Sequence, residues 1–235
     1  MSEPVIEAAD LEFGWAAGPP LLAIDRLAIP AAQRVFVHGP SGSGKSSLLR
    51  LLAGVVVPRR GGLRVLGTEV PRLAGSARDR FRADHLGIIF QMFNLVPYLS
   101  VRENVTLPCR FSARRCRQAE ARGGAAREAE RLLEHLGLGA EARSGRAVTR
   151  LSVGEQRRVA AARALIGRPE IVPADEPTSA LDADRREVFL RLLFRECERE
   201  GATLVFVSHD RSLEGLFDRA LALADMAPPR GGPGA

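Results

Sequence analysis

Gly39-Pro40-Ser41-Gly42-Ser43-Gly44-Lys45-Ser46-Ser47 is the stretch on which the reading of the whole chain turns. It fits G-x-x-x-x-G-K-[ST], the phosphate-binding P-loop that joins a strand to a helix. Both flanks agree with that context. Arg34 to His38 reads as a short buried strand around Val35, Phe36 and Val37, and Ser46 opens an apolar helix through Leu48, Leu49, Leu51 and Leu52. Glycines and small serines let successive backbone N–H groups wrap an anion, and the following helix N-terminus adds its partial positive charge. Lys45 is then placed to reach the β- and γ-phosphates, and the Ser46 hydroxyl to ligate Mg²⁺. Lys45 is also the only lysine among 34 basic residues. A compact ammonium suits a phosphate cradle better than a broad guanidinium fork.

The 235 residues, 46% of them hydrophobic, are ample to bury a core. No run of 18 apolar residues occurs, and Glu3 and Glu7 stand where a leader peptide would carry basic residues, so neither a membrane span nor secretion is expected. Cys109, Cys116 and Cys197 match neither a disulfide framework nor a zinc spacing and read as reduced thiols of a cytosolic protein. The net charge of +6 is spread along the chain, and no nucleic-acid role is expected from it. Its densest cluster, Arg110, Arg114, Arg115, Arg117 and Arg122, reads as a solvated helix face, with lipid headgroups as the alternative.

Val5 to Trp15 alternates as a half-buried strand, with Leu11, Phe13 and Trp15 on one face. A Gly18-Pro19-Pro20 turn leads into strand material over Leu21 to Ile29, and Gly61 to Val70 reads as a hairpin bent at Gly67. Gly87 to Phe90 reads as a compact buried strand ending at Gln91. From Pro97 to Arg150 strand signals vanish, and Ala125 to Leu136 predicts a helix capped by Gly137. Buried parallel strands return at Glu170 to Ala174 and Thr203 to Val207. This texture predicts a single α/β unit over 1–227, with a parallel-sheet core and antiparallel β subdomain in 1–96 and 151–227. A helical insert over 97–150 runs into a helix at 152–166, and a disordered Pro/Gly-rich tail is expected at 228–235.

Three further motifs follow in order: Leu151-Ser152-Val153-Gly154-Glu155-Gln156 before a long helix; Ile171 to Pro177, an apolar strand ending in Asp175 and Glu176; and Ser208-His209-Asp210 after the next strand. An acidic pair where a buried parallel strand leaves the sheet stands where such folds bind ligands. Ser152 and Glu155 also have the spacing of a helix capping box. Pro173 is unusual inside a central strand, because it removes a ladder donor: either the strand is distorted there or that N–H was spare.

With the P-loop, and in this order, these motifs resemble the nucleotide-binding domain of ATP-binding cassette (ABC) proteins, from about Val5 to Leu223. The resemblance implies the ABC ATPase fold, a P-loop NTPase core, with ATP and Mg²⁺ as cofactors. It implies that Gly39 to Ser47 cradle the phosphates, that Asp175 holds Mg²⁺ with Ser46 and Gln91, and that Glu176 polarises the attacking water. His209 is then similar to the switch histidine on the γ-phosphate. Trp15 is similar to the aromatic that stacks on adenine, with Phe13 as the other candidate. Ser152, Gly154 and Glu155 resemble the signature that covers the γ-phosphate held by a second subunit, and Ser179-Ala180-Leu181-Asp182 resembles the D-loop at the dimer interface. Val153 and Glu155 replace a more common glycine and glutamine, and Gln33 and Arg34 a glycine and a glutamate. The apolar loop Met92 to Tyr98 resembles the surface where the family docks a membrane partner, a core role being the other reading.

The wording around Phe90 to Leu95 and Arg102 to Val105 is similar to the lipoprotein-release and macrolide-export branch. That resemblance implies an ATPase that dimerises on ATP and drives a separate integral membrane permease from the inner face of the cell membrane. A regulatory cassette that transmits force without moving a substrate is the alternative, and a soluble cassette acting on nucleic acid or ribosomes a more distant one.

Overall fold

A computed structural model describes residues 3–15, 18–179 and 181–226. Ala180 and the expected tail at 228–235 lie outside the described residues. Strands β1 (Pro4–Phe13) and β2 (Leu22–Pro30) pair antiparallel, Glu7 opposite Ala28 and Phe13 opposite Leu22. The buried face of β1 reads Ile6, Ala8, then Leu11, Phe13, because Asp10, at φ 48°, inserts one residue and shifts the alternation. Strand β3 (Arg34–His38) feeds the glycine loop and α1 (Lys45–Leu52). β4 (Arg60–Val65) and β5 (Thr68–Glu69) form the hairpin, with Leu66 and Gly67 both at positive φ as a two-residue turn requires. This sheet has the order β2-β1-β4-β5.

Helix α2 (Gly75–His85) follows, then α3 (Val101–Thr106), α4 (Pro108–Phe111), α5 (Ala113–Glu120), α6 (Ala125–His135), α7 (Gly139–Arg143) and α8 (Val153–Leu165). The remainder alternates β6 (Ile171–Asp175), α9 (Ala183–Glu200), β7 (Thr203–Val207) and β8 (Arg219–Ala222). The second sheet, β6-β7-β3-β8, is parallel throughout. Its strands are apolar on both faces because each face has its own core. Phe36, Val172, Leu204 and Phe206 pack with α3, α6 and α8, whereas Val35, Val37, Val205 and Val207 pack with α1 and the antiparallel sheet.

The expected strand at Gly87 to Phe90 is reduced to isolated bridges beside β6. The Gly87 N–H donates to the Ile171 carbonyl, Ile89 N–H to Pro173, and Asp175 N–H to Ile89, each at 2.9 Å. The rung between them would need an N–H on Pro173, so the proline itself interrupts the ladder on the outer side of β6, while its pairing to β7 continues opposite Val205. Gly87 is required for a second reason: a Cβ there would lie 2.1 Å from the Ala164 carbonyl oxygen of α8.

The arginine cluster is not a uniformly solvated face. Arg115 is 3% exposed, and its guanidinium donates to the Leu86, Ala164 and Ile166 carbonyls; burial pushes its pKa down to about 10. Arg114 pairs with Glu170, and Arg122 with Glu128 and Glu200. The last pair belongs to a clasp between α6 and α9. Three carboxylates that are almost fully buried, Glu128, Glu196 and Glu200, are held by Arg122, Arg131 and Arg168, with His135 Nδ1 2.7 Å from Glu196. Although burial pushes the Glu128 carboxyl up, Arg131 and Arg122 hold it below its ordinary range.

Candidate active site

Three parallel strands deliver their carboxyl ends to one cleft. β3 runs into the glycine loop, β6 ends in Asp175 and Glu176, and β7 is followed by Ser208 and His209. The cleft encloses about 550 Å³ and is lined by Ser41, Gly42, Gly44, Lys45, Ser46, Ser47, Gln91, Asp175, Glu176 and His209, together with Leu21. Residues more than a hundred positions apart in sequence therefore share one wall. Leu21 was not legible as a site residue, because one apolar residue after a Pro-Pro turn carries no chemical signal.

Inside the cleft, Lys45 is buried and its Nζ donates to the Gly39 and Pro40 carbonyls, both at 2.8 Å, so the ammonium curls over the mouth of its own loop. Gly42 (φ 77°) and Gly44 (φ 96°) supply the left-handed backbone that turns the loop. The Ser43 hydroxyl is buried with no hydrogen-bond partner among the described residues, an orphan group at a place where an anion would find donors. Ser46 Oγ donates to Asp175 Oδ1 at 3.1 Å. These two hard oxygen donors suit a small divalent cation, and no group of three or more His, Cys, Asp or Glu placed to hold a metal ion occurs among the described residues. Proteins commonly hold Mg²⁺ through one or two of their own oxygens, with substrate phosphates and water completing its shell. Burial pushes the Asp175 carboxyl above its ordinary range, Ser46 opposes this, and the neighbouring Glu176 charge adds to it.

Glu176 adopts a left-handed backbone (φ 43°), and its N–H donates to the Val207 carbonyl at 3.0 Å. That geometry turns the carboxylate towards the end of β7, where Oε1 lies 3.0 Å from His209 Nδ1. Gln91 stands at the rim and is exposed.

Other expected site residues lie outside this cleft. Ser152 caps α8: its Oγ accepts from Glu155 N–H at 3.3 Å, while Glu155 Oε2 accepts from Ser152 N–H at 2.7 Å. The reciprocal box draws the Glu155 carboxyl below its ordinary range. Ser152 and Gly154 line a separate hollow with Val153, Leu181 and Phe189, and no residue is common to it and the phosphate cleft. Val153 is 58% exposed, and a Cβ on Gly154 would meet nothing within 4 Å. Trp15 lies beyond the end of β1, 59% exposed, rather than on the buried face with Leu11 and Phe13. Its ring meets Phe13 edge-on at 5.1 Å and is covered by the Arg50 guanidinium at 5.5 Å. Trp15 is not part of the cleft wall in this form of the chain.

Past Gln91, Met92 and Tyr98 are strongly exposed, whereas Leu95 packs on the core, so the loop divides between the two readings. Beside it an open groove of about 630 Å³ runs between α2, α4 and the Gln91 turn, with Phe90, Asn94, Leu107 and Phe111 among its walls. The contribution of α2 was not legible, because that helix buries no residue and carries no apolar stripe.

The family model described as ABC transporter matches residues 23–179. Over 227 residues the chain is 38% identical to the uncharacterized ABC transporter ATP-binding protein YbbA of Escherichia coli (strain K12), covering 95% of this chain and 96% of that one. It is 38% identical over 229 residues to the lipoprotein-releasing system ATP-binding protein LolD 2 of Caulobacter vibrioides, covering 96% of each. It is also 38% identical over 230 residues to the macrolide export ATP-binding/permease protein MacB of Bordetella avium, covering 96% of this chain but 33% of that longer protein. Among solved structures, the dimeric post-hydrolysis state of the ATP-binding cassette MJ0796 bound to ADP and Pi matches with a TM-score of 0.82 at 32% identity, over 96% of this chain and 97% of that one. Strand order, cleft, motif set and relatives agree: the chain belongs to the ABC transporter family, as an ATP-binding cassette.

Proposed function

We propose that the chain is the ATP-hydrolysing subunit of an ABC transporter, closing as a homodimer around MgATP to drive a separate membrane permease. Export, or handling of lipoproteins or other periplasmic substrates, is the best-supported task, given relatives named for lipoprotein release and macrolide export. One observation carries the reading: Lys45, the Ser46–Asp175 pair and the Glu176–His209 pair share one cleft, while Ser152 and Gly154 sit apart in a separate hollow at the capped N-terminus of α8. A site so divided is completed by a second copy.

In this reading the loop N–H groups and Lys45, released from the Gly39 and Pro40 carbonyls, hold the β- and γ-phosphates. Ser46, Asp175 and Gln91 would hold Mg²⁺, which supplies charge neutralisation on the phosphate oxygens. Glu176 accepts a proton from water as the water oxygen bonds to the γ-phosphorus and the bond to the ADP oxygen breaks. His209 holds the Glu176 carboxylate through Nδ1 and presents its other ring nitrogen to the γ-phosphate. Trp15 stacks on adenine once the Arg50 side chain yields its face. Ser152, Gly154 and the N–H groups ordered by Glu155 approach the γ-phosphate from the partner copy. No helix among the described residues is long and apolar enough to cross a membrane. In this reading the transport path belongs to the permease. Its cytoplasmic surface docks in the groove beside Phe90 and Phe111, placing the cassette at the inner membrane face.

The test is Glu176→Gln, which keeps the shape and removes the base. The variant is expected to bind ATP, to run as a dimer in size-exclusion chromatography with MgATP, and to hydrolyse nothing. A variant that neither retains ATP nor dimerises would sink the proposal. Capture of a permease with the tagged chain from native membranes tests the partner.

A further inference from the structure

The Gln91 turn and the turn that follows Glu176 are joined by one side chain. Arg157, on α8, is 2% exposed. Its guanidinium lies 5.1 Å above the Phe93 ring, and its Nη2 donates to the Ser179 carbonyl at 2.5 Å. The N–H of the same residue, Ser179, donates to the Glu176 carbonyl at 3.1 Å, closing the turn that carries the carboxylate. In the Gln91 turn, Phe93 and Asn94 are consecutive left-handed residues (φ 59° and 50°), and Arg163 of the same helix holds both of their carbonyls. Asn94 and Phe90, the residues that bracket this turn, line the open groove.

Arg157 differs from Arg115, the other deeply buried arginine among the described residues. Arg115 spends its donors on backbone carbonyls and is fixed by them. Arg157 leaves Nε and Nη1 without an acceptor among the described residues. A buried cation with one conventional acceptor and one ring is poorly compensated, so its position follows the two loops rather than a lattice of its own bonds.

The geometry points to Arg157 as a positioning residue that couples the Phe93 turn, and hence the groove beside it, to the placement of Glu176. The inference rests on the ATPase reading above. Displacement of Phe93 moves the guanidinium, the guanidinium moves the Ser179 carbonyl, and the Glu176 turn is rotated relative to His209 and the cleft. Misplacement of a reacting group by about 1 Å costs on the order of a hundredfold in rate.

The experiment is a double-mutant cycle on the full chain, reading kcat and KM for ATP. Arg157→Met is expected to lower kcat by about tenfold or more with KM changed by less than about twofold. Phe93→Leu gives a smaller loss, and the double variant is no slower than Arg157→Met alone, because Phe93 acts through the arginine. Arg157→Lys, which keeps a cation within reach of the Ser179 carbonyl, recovers part of the rate. Should Arg157→Met fail to fold, the cycle is run with Arg157→Gln. A kcat within about twofold of wild type, or losses that multiply in the double variant, overturns the coupling. Wild-type turnover separates the two levels: an active wild type with an indifferent Arg157→Met sinks this inference alone, whereas a wild-type chain that hydrolyses no ATP sinks the ATPase reading and this one with it.

Discussion

The clasp between α6 and α9 gives the most quantitative expectation. Arg131→Met keeps the aliphatic stem and deletes a guanidinium that contacts three buried carboxylates, Glu128 at 2.8 Å, Glu196 at 3.1 Å and Glu200 at 3.3 Å. The survivors are unequally served. Glu128 retains Arg122, Glu200 retains Arg122 and Arg168, and Glu196 is left with His135. Removing one partner of a buried ion pair costs about 3–5 kcal/mol, and for a chain of this size each kcal/mol lowers Tm by about 2–4 °C, so a fall of roughly 6–20 °C is expected. The pH dependence carries a sign. Glu128 is held below its ordinary value of 4.5, so its contribution is present above that pH and is lost as pH falls through the folded-state value. In the variant Glu128 loses the larger of the two arginine effects that hold it down and takes up a proton more readily, so the deficit relative to wild type shrinks in acid. Urea melts of both proteins at about pH 7 and about pH 4, above and within that window, measure this directly. A deficit below about 1 kcal/mol at the higher pH, or one that is the same at both, would refute the reasoning and make the clasp an ordinary surface network.

Two other outcomes separate stability from function. Asp175→Asn removes a carboxylate whose burial raises its pKa; such a group stabilises the fold in acid and loses that contribution as pH rises through the raised value. The nucleotide-free variant is therefore expected to melt roughly 1–4 °C higher at neutral pH, while ATP turnover falls by about two orders of magnitude; thermal melts that show a loss of stability would contradict the burial argument. Gly154→Leu meets no steric obstacle within the chain and replaces a helical glycine, so the folded monomer should gain up to about 1 kcal/mol and bind nucleotide normally. Its dimerisation and hydrolysis should be lost, and normal turnover would show that the signature does not close over a second copy's site.

Periodicity made the strands legible: β1, β3 and β7 carry apolar alternation or short apolar runs that no other element explains. The order of the motifs and their resemblance to the ABC family bring Lys45, Asp175, Glu176 and His209 into one reading, and the four line one cleft. Elements that bury little were not legible. α2 has no buried residue, and β8, Arg-Ala-Leu-Ala, takes its strand form from its parallel partner β3 rather than from its own propensities. The stretch 183–200 holds a long helix, α9, that the sequence reading leaves unassigned. The clasp was invisible because Arg131 and Glu196 are 65 positions apart and each reads as an ordinary exposed charge. Pro173 was legible as an anomaly, and the ladder shows which alternative holds. Its missing N–H falls on the outer side of β6, so the strand keeps its course while its neighbour at Gly87 to Phe90 is reduced to bridges.

Lys45 has a consequence beyond phosphate binding. Every other basic side chain apart from the four histidines is a guanidinium, so no other side chain offers an amine for acylation. The single lysine amine lies in a cleft, 7% exposed, held by two carbonyls of its own loop. Any chemistry selective for lysine, whether enzymatic acetylation or a laboratory label, would therefore report on one event: the loop opening and releasing its ammonium.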